Sequence, residues 1–346
     1  MELTVEHRDG IEARLHELGW IQPDERILAL APPGAGNMNR TLRVELQERT
    51  LILKQAVPFV ARYPHIPAPV ERLEVEAAFY RLIAGSDALA LRTPRVLGED
   101  LANHLLCLED LGTGGDFTWI YQCPADDRRL ELRGQLTTLF HWLRDLHALD
   151  LERTVGSAGL AATFGNHSMR ALNHAHIFEI PFDSANGVEL AEPLRRLRET
   201  LALDAALRER ATLLGRIYTG AVGHASRPAL LHGDYYPGSW LAHPRMGVVI
   251  IDPEFAFVGP PEFDVGVLLA HLIMAGHAQP DVAMQLGSYG APPGFSQPLA
   301  WAFAGMEVIR RLLGVAQLPL AAPPELRCTW LQTARALIIA WEVSAP

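Results

Sequence analysis

From residue 7 to residue 19 the apolar positions Ile11, Leu15 and Leu18 recur at spacings of three and four, which predicts an amphipathic helix. The period then changes. RILAL, TLRVEL and TLILKQA, within residues 26–56, predict three short strands, and the glycine turn PPGAGNMN between the first two predicts a hairpin. Lys54 falls on the third strand. Residues 69–84 carry a proline near their start and place Val70, Leu73, Ala77, Tyr80 and Ile83 at helical spacing. RVLG and HLLCLED predict two further strands. The first 110 residues therefore read as a small antiparallel sheet with one crossing helix. From about residue 113 the pattern turns mainly helical, most clearly over 129–150 and 301–316. Between those helices, PALLHGD and GVVIIDPEF look like two strands of one hairpin, each ending in acids. The fold class expected is α+β and bilobal, with a boundary in the irregular stretch 111–128 and lobes of 1–112 and 113–346.

Composition narrows the picture. The chain has 346 residues, 49% hydrophobic and 20% charged, which is ordinary globular chemistry. Its formal charge of −10 comes without any basic block, and this argues against a nucleic-acid partner. Cys107, Cys123 and Cys328 are widely spaced with no C-x-x-C pair, so neither a disulfide framework nor a zinc ribbon is expected. No apolar run is long enough for a membrane span, and the N-terminus is not signal-like; a soluble, cytoplasmic protein without a membrane partner is expected. One count stands out. Of the 30 basic residues only Lys54 is lysine. Lysine presents a compact point charge on a thin stem where arginine presents a planar fork, so the single ammonium marks a place that arginine does not suit.

Two constellations could carry chemistry. In the first, Gly34, Gly36, Asn37 and Asn39 form a turn whose backbone amides can approach phosphate oxygens, and Lys54 follows at the spacing of a phosphate-binding lysine. A buried lysine needs a counter-charge, and Glu76 is preferred over Glu74 to provide it. The second joins LLHGDYYPGSW (230–240) to VVIIDPEFAFVGPPEFDVG (248–266). Asp234, Asp252 and Glu254 gathered together would repel unless a cation lay among them, and Mg²⁺ suits hard oxygen ligands and phosphate. Asp234 reads as the group that orients and deprotonates an acceptor hydroxyl, Asp252 and Glu254 as metal ligands, and Ser239 as an auxiliary oxygen donor. His232 and Asp264 read as loop-holding groups. Arg310 and Arg311, adjacent in an apolar helix, cannot both be solvated, so at least one should meet a carboxylate or an anion. His167, His174 and His176 lack the companions of a metal site.

The order of glycine hairpin, strand lysine, helix glutamate, HGD and D-x-E resembles the aminoglycoside phosphotransferase and choline kinase superfamily, which has the protein-kinase-like fold. Within it the chain looks most similar to the methylthioribose kinases, through GAGNMN, KQAVPFVAR, LEDL, HGDYYPGS, DPEFAFVGP and IRRLLGVA. The resemblance implies ATP and Mg²⁺ as cofactors, an N-terminal nucleotide-binding lobe and a C-terminal catalytic and substrate-binding lobe. It implies that Lys54, steadied by Glu76, binds ATP phosphates and that the backbone from Glu109 to Leu111 holds adenine. Asp234 would be the catalytic aspartate, Ser239 would stand where most of the superfamily has Asn, and Asp252 with Glu254 would hold Mg²⁺. Arg310 and Arg311 would meet the sugar and the transferring phosphoryl group, and Tyr235 would border the acceptor. The implied product is 5-methylthioribose 1-phosphate. Aminoglycosides, amino alcohols and other sugars are the alternative acceptors, and a nucleotide-binding pseudokinase is the alternative outside catalysis. A homodimer is allowed for. The chain departs from the methylthioribose kinases at Tyr235-Tyr236-Pro237 after HGD, and at Tyr63-Pro64-His65-Ile66, where a tryptophan is expected.

Overall fold

The computed structural model describes residues 2–34, 36, 38–122 and 126–342. In chain order the strands are β1 (Ala29–Ala31), β2 (Arg40–Glu45), β3 (Thr50–Gln55), β4 (Phe59–Val60), β5 (Tyr63–Pro67), β6 (Val96–Asp100), β7 (Leu105–Glu109), β8 (Ala229–Leu231), β9 (Trp240–His243), β10 (Gly247–Ile250) and β11 (Phe257–Gly259). The helices are α1 (Arg8–Glu17), α2 (Arg72–Ile83), α3 (Asp87–Ala90), α4 (Asp126–His147), α5 (Leu151–Val155), α6 (Ser157–Phe164), α7 (His167–His174), α8 (Glu192–Leu203), α9 (Ala205–Tyr218), α10 (Pro261–Met274), α11 (Gln279–Leu286), α12 (Gln297–Leu313) and α13 (Pro324–Ala340). The chain divides into two compact units, Met1–Gly115 with Leu241–Phe255, and Asp116–Trp240 with Ala256–Pro346. No helix among the described residues is long and apolar enough to cross a membrane.

The first unit is built on an antiparallel sheet of order β1-β2-β3-β7-β6. Its register pairs Leu42 with Leu53, Val44 with Leu51, and Leu53 with Cys107. Because strand side chains alternate, all of these lie on one face. That face forms a core with Ile11 and Leu15 of α1. Lys54, one residue out of phase, points to the other face, which α2 covers. The segment that follows β7 is pressed against β9: a Cβ on Gly114 would lie 1.9 Å from the Ala242 carbonyl oxygen, so only glycine fits there.

In the second unit every residue of α10 is buried, as is α12 from Leu299 to Leu313. The two helices pack on each other, and α12 packs also on α13. Ser296 caps α12 by accepting from the Leu299 amide, with Pro298 in the first turn. The hairpin expected from PALLHGD and GVVIIDPEF does not form. Instead β8 pairs antiparallel with β11, Leu231 opposite Phe257, and β9 pairs with β10. Two apolar runs of similar length attract each other on paper, but WLAH and FVG, too short to stand out in the sequence, supply the actual partners.

Candidate active site

In the first unit, the β3 register places Lys54 opposite Thr41 and Leu106, directed toward α2. Its Nζ lies 2.7 Å from Glu76 Oε2 and 2.7 Å from Asp252 Oδ1. Lys54 and Glu76 are buried, whereas the Asp252 side chain is 44% exposed. Burial opposes the charge on Lys54, but Asp252, Glu76 and Glu254 together outweigh it and its pKa rises. The same burial pushes the Glu76 carboxyl up to about 7, against the pull of Lys54. Asp252 follows β10 with φ at +62°, a left-handed conformation costing an L-residue roughly 1 kcal/mol. The Tyr80 hydroxyl holds it there by accepting from its backbone N–H at 3.2 Å. Such stored strain accompanies functional positions.

Glu254 is placed differently. Its Oε2 accepts from Asn39 Nδ2 at 2.8 Å and lies 3.2 Å from Arg72 Nε, all three residues being buried. Burial raises its pKa despite Lys54 and Arg72. The Oε2 of Glu254 is thus engaged within the unit, whereas the half-exposed Asp252 suits a hard ion. Asn39 likewise turns its side-chain amide inward, toward Glu254 and Arg72. A Cβ on Gly34 or Gly36 would meet no atom within 4 Å, and Asn37 lies outside the described residues. The 109–111 segment is pinned by side chains: Glu109 pairs with Arg95 at 3.1 Å, Asp110 with Arg43 at 2.7 Å, and Leu111 is buried.

The second unit holds the other group of residues. Gly233 (φ +84°) makes the turn after β8, and Asp264 in the first turn of α10 accepts the His232 amide at 2.6 Å and the Gly233 amide at 3.0 Å. That anchorage sets the loop at Asp234, whose Oδ1 takes Arg311 Nη2 at 3.0 Å and Arg310 Nη1 at 3.3 Å. Both arginines are therefore partnered, as their position in an apolar helix requires. The sequence reading missed their shared counter-ion, Glu307, three and four residues earlier on α12. Its Oε1 takes Arg311 Nε at 2.5 Å, and its Oε2 takes Arg310 Nη1 at 3.1 Å. The E-x-x-R-R spacing was the available signal. Burial would raise the Glu307 pKa, but Arg310 and Arg311 hold it well below the usual carboxylate range.

The network continues inward. His271 Nε2 lies 3.2 Å from Glu307 Oε1, and its Nδ1 lies 2.6 Å from the Tyr121 hydroxyl. Burial lowers the His271 pKa, so the ring is neutral. Since ionised Glu307 only accepts, Nε2 carries the proton and Nδ1 accepts from Tyr121.

Tyr235 is a correction. It is fully buried, stacked on Trp142 at 5.5 Å, and its hydroxyl donates to the Leu139 carbonyl at 3.1 Å, so it is core and does not border an acceptor. Its neighbour Tyr236 carries the Arg311 guanidinium over its ring at 4.6 Å. Ser239 is buried and donates its hydroxyl hydrogen to the Asp234 carbonyl at 3.1 Å, leaving oxygen lone pairs. His174 pairs with Glu179, and burial followed by Arg310 lowers His176 to about 4. Among the described residues no three His, Cys, Asp or Glu side chains cluster as a metal site.

A sequence profile of the phosphotransferase enzyme family matches residues 29–300, most of the chain and, Glu307, Arg310 and Arg311 apart, the residues just described. The chain belongs to that family. The chain is 29% identical over 281 residues to the methylthioribose kinase of Bacillus pumilus and 27% identical over 276 residues to that of Exiguobacterium sibiricum. Each match covers 79% of this chain, and the chain spans 66% and 67% of those relatives' lengths. Among solved structures it is similar to a choline kinase from Streptococcus pneumoniae, with a TM-score of 0.54 at 12% identity over 97% of this chain and 100% of the other. A spectinomycin phosphotransferase, solved with ADP and spectinomycin, gives 0.52 at 12% identity over 96% of this chain and 99% of the other. The chain thus has the kinase-like α+β fold of those two proteins.

Proposed function

We propose that this phosphotransferase moves the γ-phosphoryl group of ATP to a hydroxyl of a small neutral sugar, 5-methylthioribose or a close relative. The observation that carries the reading is Lys54. The chain's one ammonium stands on a central strand, buried between a helix carboxylate and a strained, half-exposed aspartate. A buried point charge held this way suits phosphate oxygens. Asp252 is the carboxylate available to Mg²⁺ in the first unit, and Glu254 has its Oε2 spent elsewhere. A bound Mg²⁺ would offset charge on the phosphate oxygens. The acceptor oxygen bonds to the γ-phosphorus, the bond from that phosphorus to the β,γ-bridging oxygen breaks, ADP leaves with the electron pair, and Asp234 takes the hydroxyl proton. Both arginines converge on Oδ1 of Asp234, which leaves Oδ2 to receive that proton.

Acceptor charge is argued from balance. Asp234 and Glu307 meet Arg310 and Arg311, two acids against two cations, whereas a polycationic aminoglycoside asks for surplus acid. The methylthioribose kinases among the relatives support the same choice. The test is ATP turnover against 5-methylthioribose, ribose, choline, ethanolamine and kanamycin, with phosphorus NMR of the product. The expected result is a sugar 1-phosphate from methylthioribose. Turnover of kanamycin or choline alone would overturn the acceptor, and ADP binding without any turnover would mark a nucleotide-binding module instead.

A further inference from the structure

Arg72 is fully buried, and its guanidinium reaches four separate stretches of the first unit. Nε donates to Asn39 Oδ1 at 2.9 Å and pairs with Glu254 Oε2 at 3.2 Å. Nη1 donates to the carbonyls of Val57 at 3.0 Å and Pro69 at 2.5 Å, and Nη2 donates to that of Met38 at 2.9 Å. Asn39 closes a triangle, since its amide oxygen accepts from Arg72 while its amide nitrogen donates to Glu254. The Met38 carbonyl also accepts from Ala61 N, which ties in the β4–β5 hairpin.

The positions so joined neighbour each member of the Lys54 group. Met38 and Asn39 end the glycine turn, Val57 lies three residues past Lys54, Glu254 two past Asp252, and Arg72 one helical turn before Glu76. Glu254 is the acid in the Arg72 ion pair, and drawing its Oε2 to a divalent cation would leave the buried guanidinium only the neutral acceptors Asn39, Val57, Pro69 and Met38. Resting on the nucleotide reading above, we propose that Glu254 is not a metal ligand: with Arg72 and Asn39 it forms a buried latch that positions the glycine turn and Asp252 for the nucleotide's phosphates. These three are positioning residues. Of the five charges Lys54, Arg72, Glu76, Asp252 and Glu254, the surplus acid then falls to Asp252, the exposed one.

The experiment compares wild type with Glu254→Gln, Glu254→Leu, Asn39→Ala and Asp252→Asn by calorimetric titration with ADP, with and without Mg²⁺, and by hydrogen–deuterium exchange of the ligand-free proteins over 38–41 and 57–61. Glu254→Leu should weaken metal-free ADP binding about tenfold, the loss of one charge-assisted hydrogen bond, and leave the Mg²⁺ enhancement within about twofold. Exchange in both segments should quicken. Glu254→Gln, which keeps an acceptor oxygen, should fall between Leu and wild type, and Asn39→Ala should repeat the Leu pattern more weakly should Leu prevent folding. Asp252→Asn should do the opposite, losing the Mg²⁺ enhancement with exchange unchanged. Loss of the enhancement in both Glu254 variants, with normal exchange, would overturn the latch and restore Glu254 as a ligand. Failure of wild type to bind ADP under either condition would instead defeat the nucleotide reading, and the exchange rates would still decide the latch.

Discussion

The charged groups of the two units are assembled on opposite plans. In the first unit, Lys54 and Arg72 face Glu76, Glu254 and Asp252, so by formal count acid is in excess by one, and the most exposed of the three, Asp252, is 44% exposed. In the second, Arg310 and Arg311 face Glu307 and Asp234, and the side chains of this balanced set are 15% exposed or less. An unbalanced set whose surplus faces solvent is prepared to take up a charged ligand. A balanced one mainly fixes geometry, here the aim of one Asp234 oxygen, and asks no charge of the molecule it serves. Charge surplus, more than the number of charged residues, separates the cluster proposed to handle the nucleotide from the one proposed to handle the hydroxyl.

Asp234→Asn should break this division most sharply. Turnover should fall by roughly 10²–10⁴-fold, the span of a lost general base, while the ADP affinity of the first unit stays within about twofold. Steady-state kinetics beside calorimetry checks both halves, and a matching loss of ADP affinity would show that the clusters are not separable.

Glu307→Gln should come next, felt as stability. It leaves two buried guanidinium groups with Asp234 alone and should cost about 3–5 kcal/mol, read from urea unfolding. The sign with pH is fixed. Glu307 is held well below its ordinary value, so its contribution is complete above the unfolded carboxyl pKa of about 4.3 and is lost as pH falls beneath it. The gap between wild type and variant should therefore close in acid.

Lys54→Arg keeps the formal charge and so isolates shape. A planar fork forced between Glu76 and Asp252 should overpack the site by about 1–3 kcal/mol and lower turnover at least about tenfold. A fully active arginine variant would reduce the lone lysine to an accident of composition.

The parts legible in the sequence were those with a period or a fixed local spacing. α1, α2, β2, β3 and β7 fall where the apolar pattern puts them, and Glu76 meets Lys54 because strand and helix each fix a side-chain direction. Arg310 and Arg311 announced a buried partner by standing in an apolar helix. What stayed hidden were contacts made at long range by residues that look ordinary alone. Arg72 reads as one more surface arginine, and nothing local to Glu254 says that Asn39, 215 positions away, takes its oxygen. Tyr235 and Tyr236 are indistinguishable in the string. The tight turn closed by the Tyr236 amide on the Asp234 carbonyl at 3.0 Å separates them, and only the fold decides which meets the core.

The smallest effect tests the innermost link of the balanced cluster. Tyr121→Phe removes the hydroxyl that donates to His271 Nδ1, leaving a buried acceptor unmet at a cost of about 1 kcal/mol near neutral pH. Burial keeps His271 neutral, with its pKa below the ordinary value. The unfolded chain takes up a proton as pH falls through about 6.5 while the folded chain does not, so this stability is present above 6.5 and declines below it. Only the neutral ring accepts from Tyr121, so losing that bond lets the folded pKa climb back toward 6.5. The penalty in the phenylalanine variant should thus be full at pH 7–8 and shrink toward pH 5. Urea midpoints across that range check it, and a penalty independent of pH would mean that Tyr121 does not hold the lone pair of Nδ1, leaving Glu307 to orient the histidine alone.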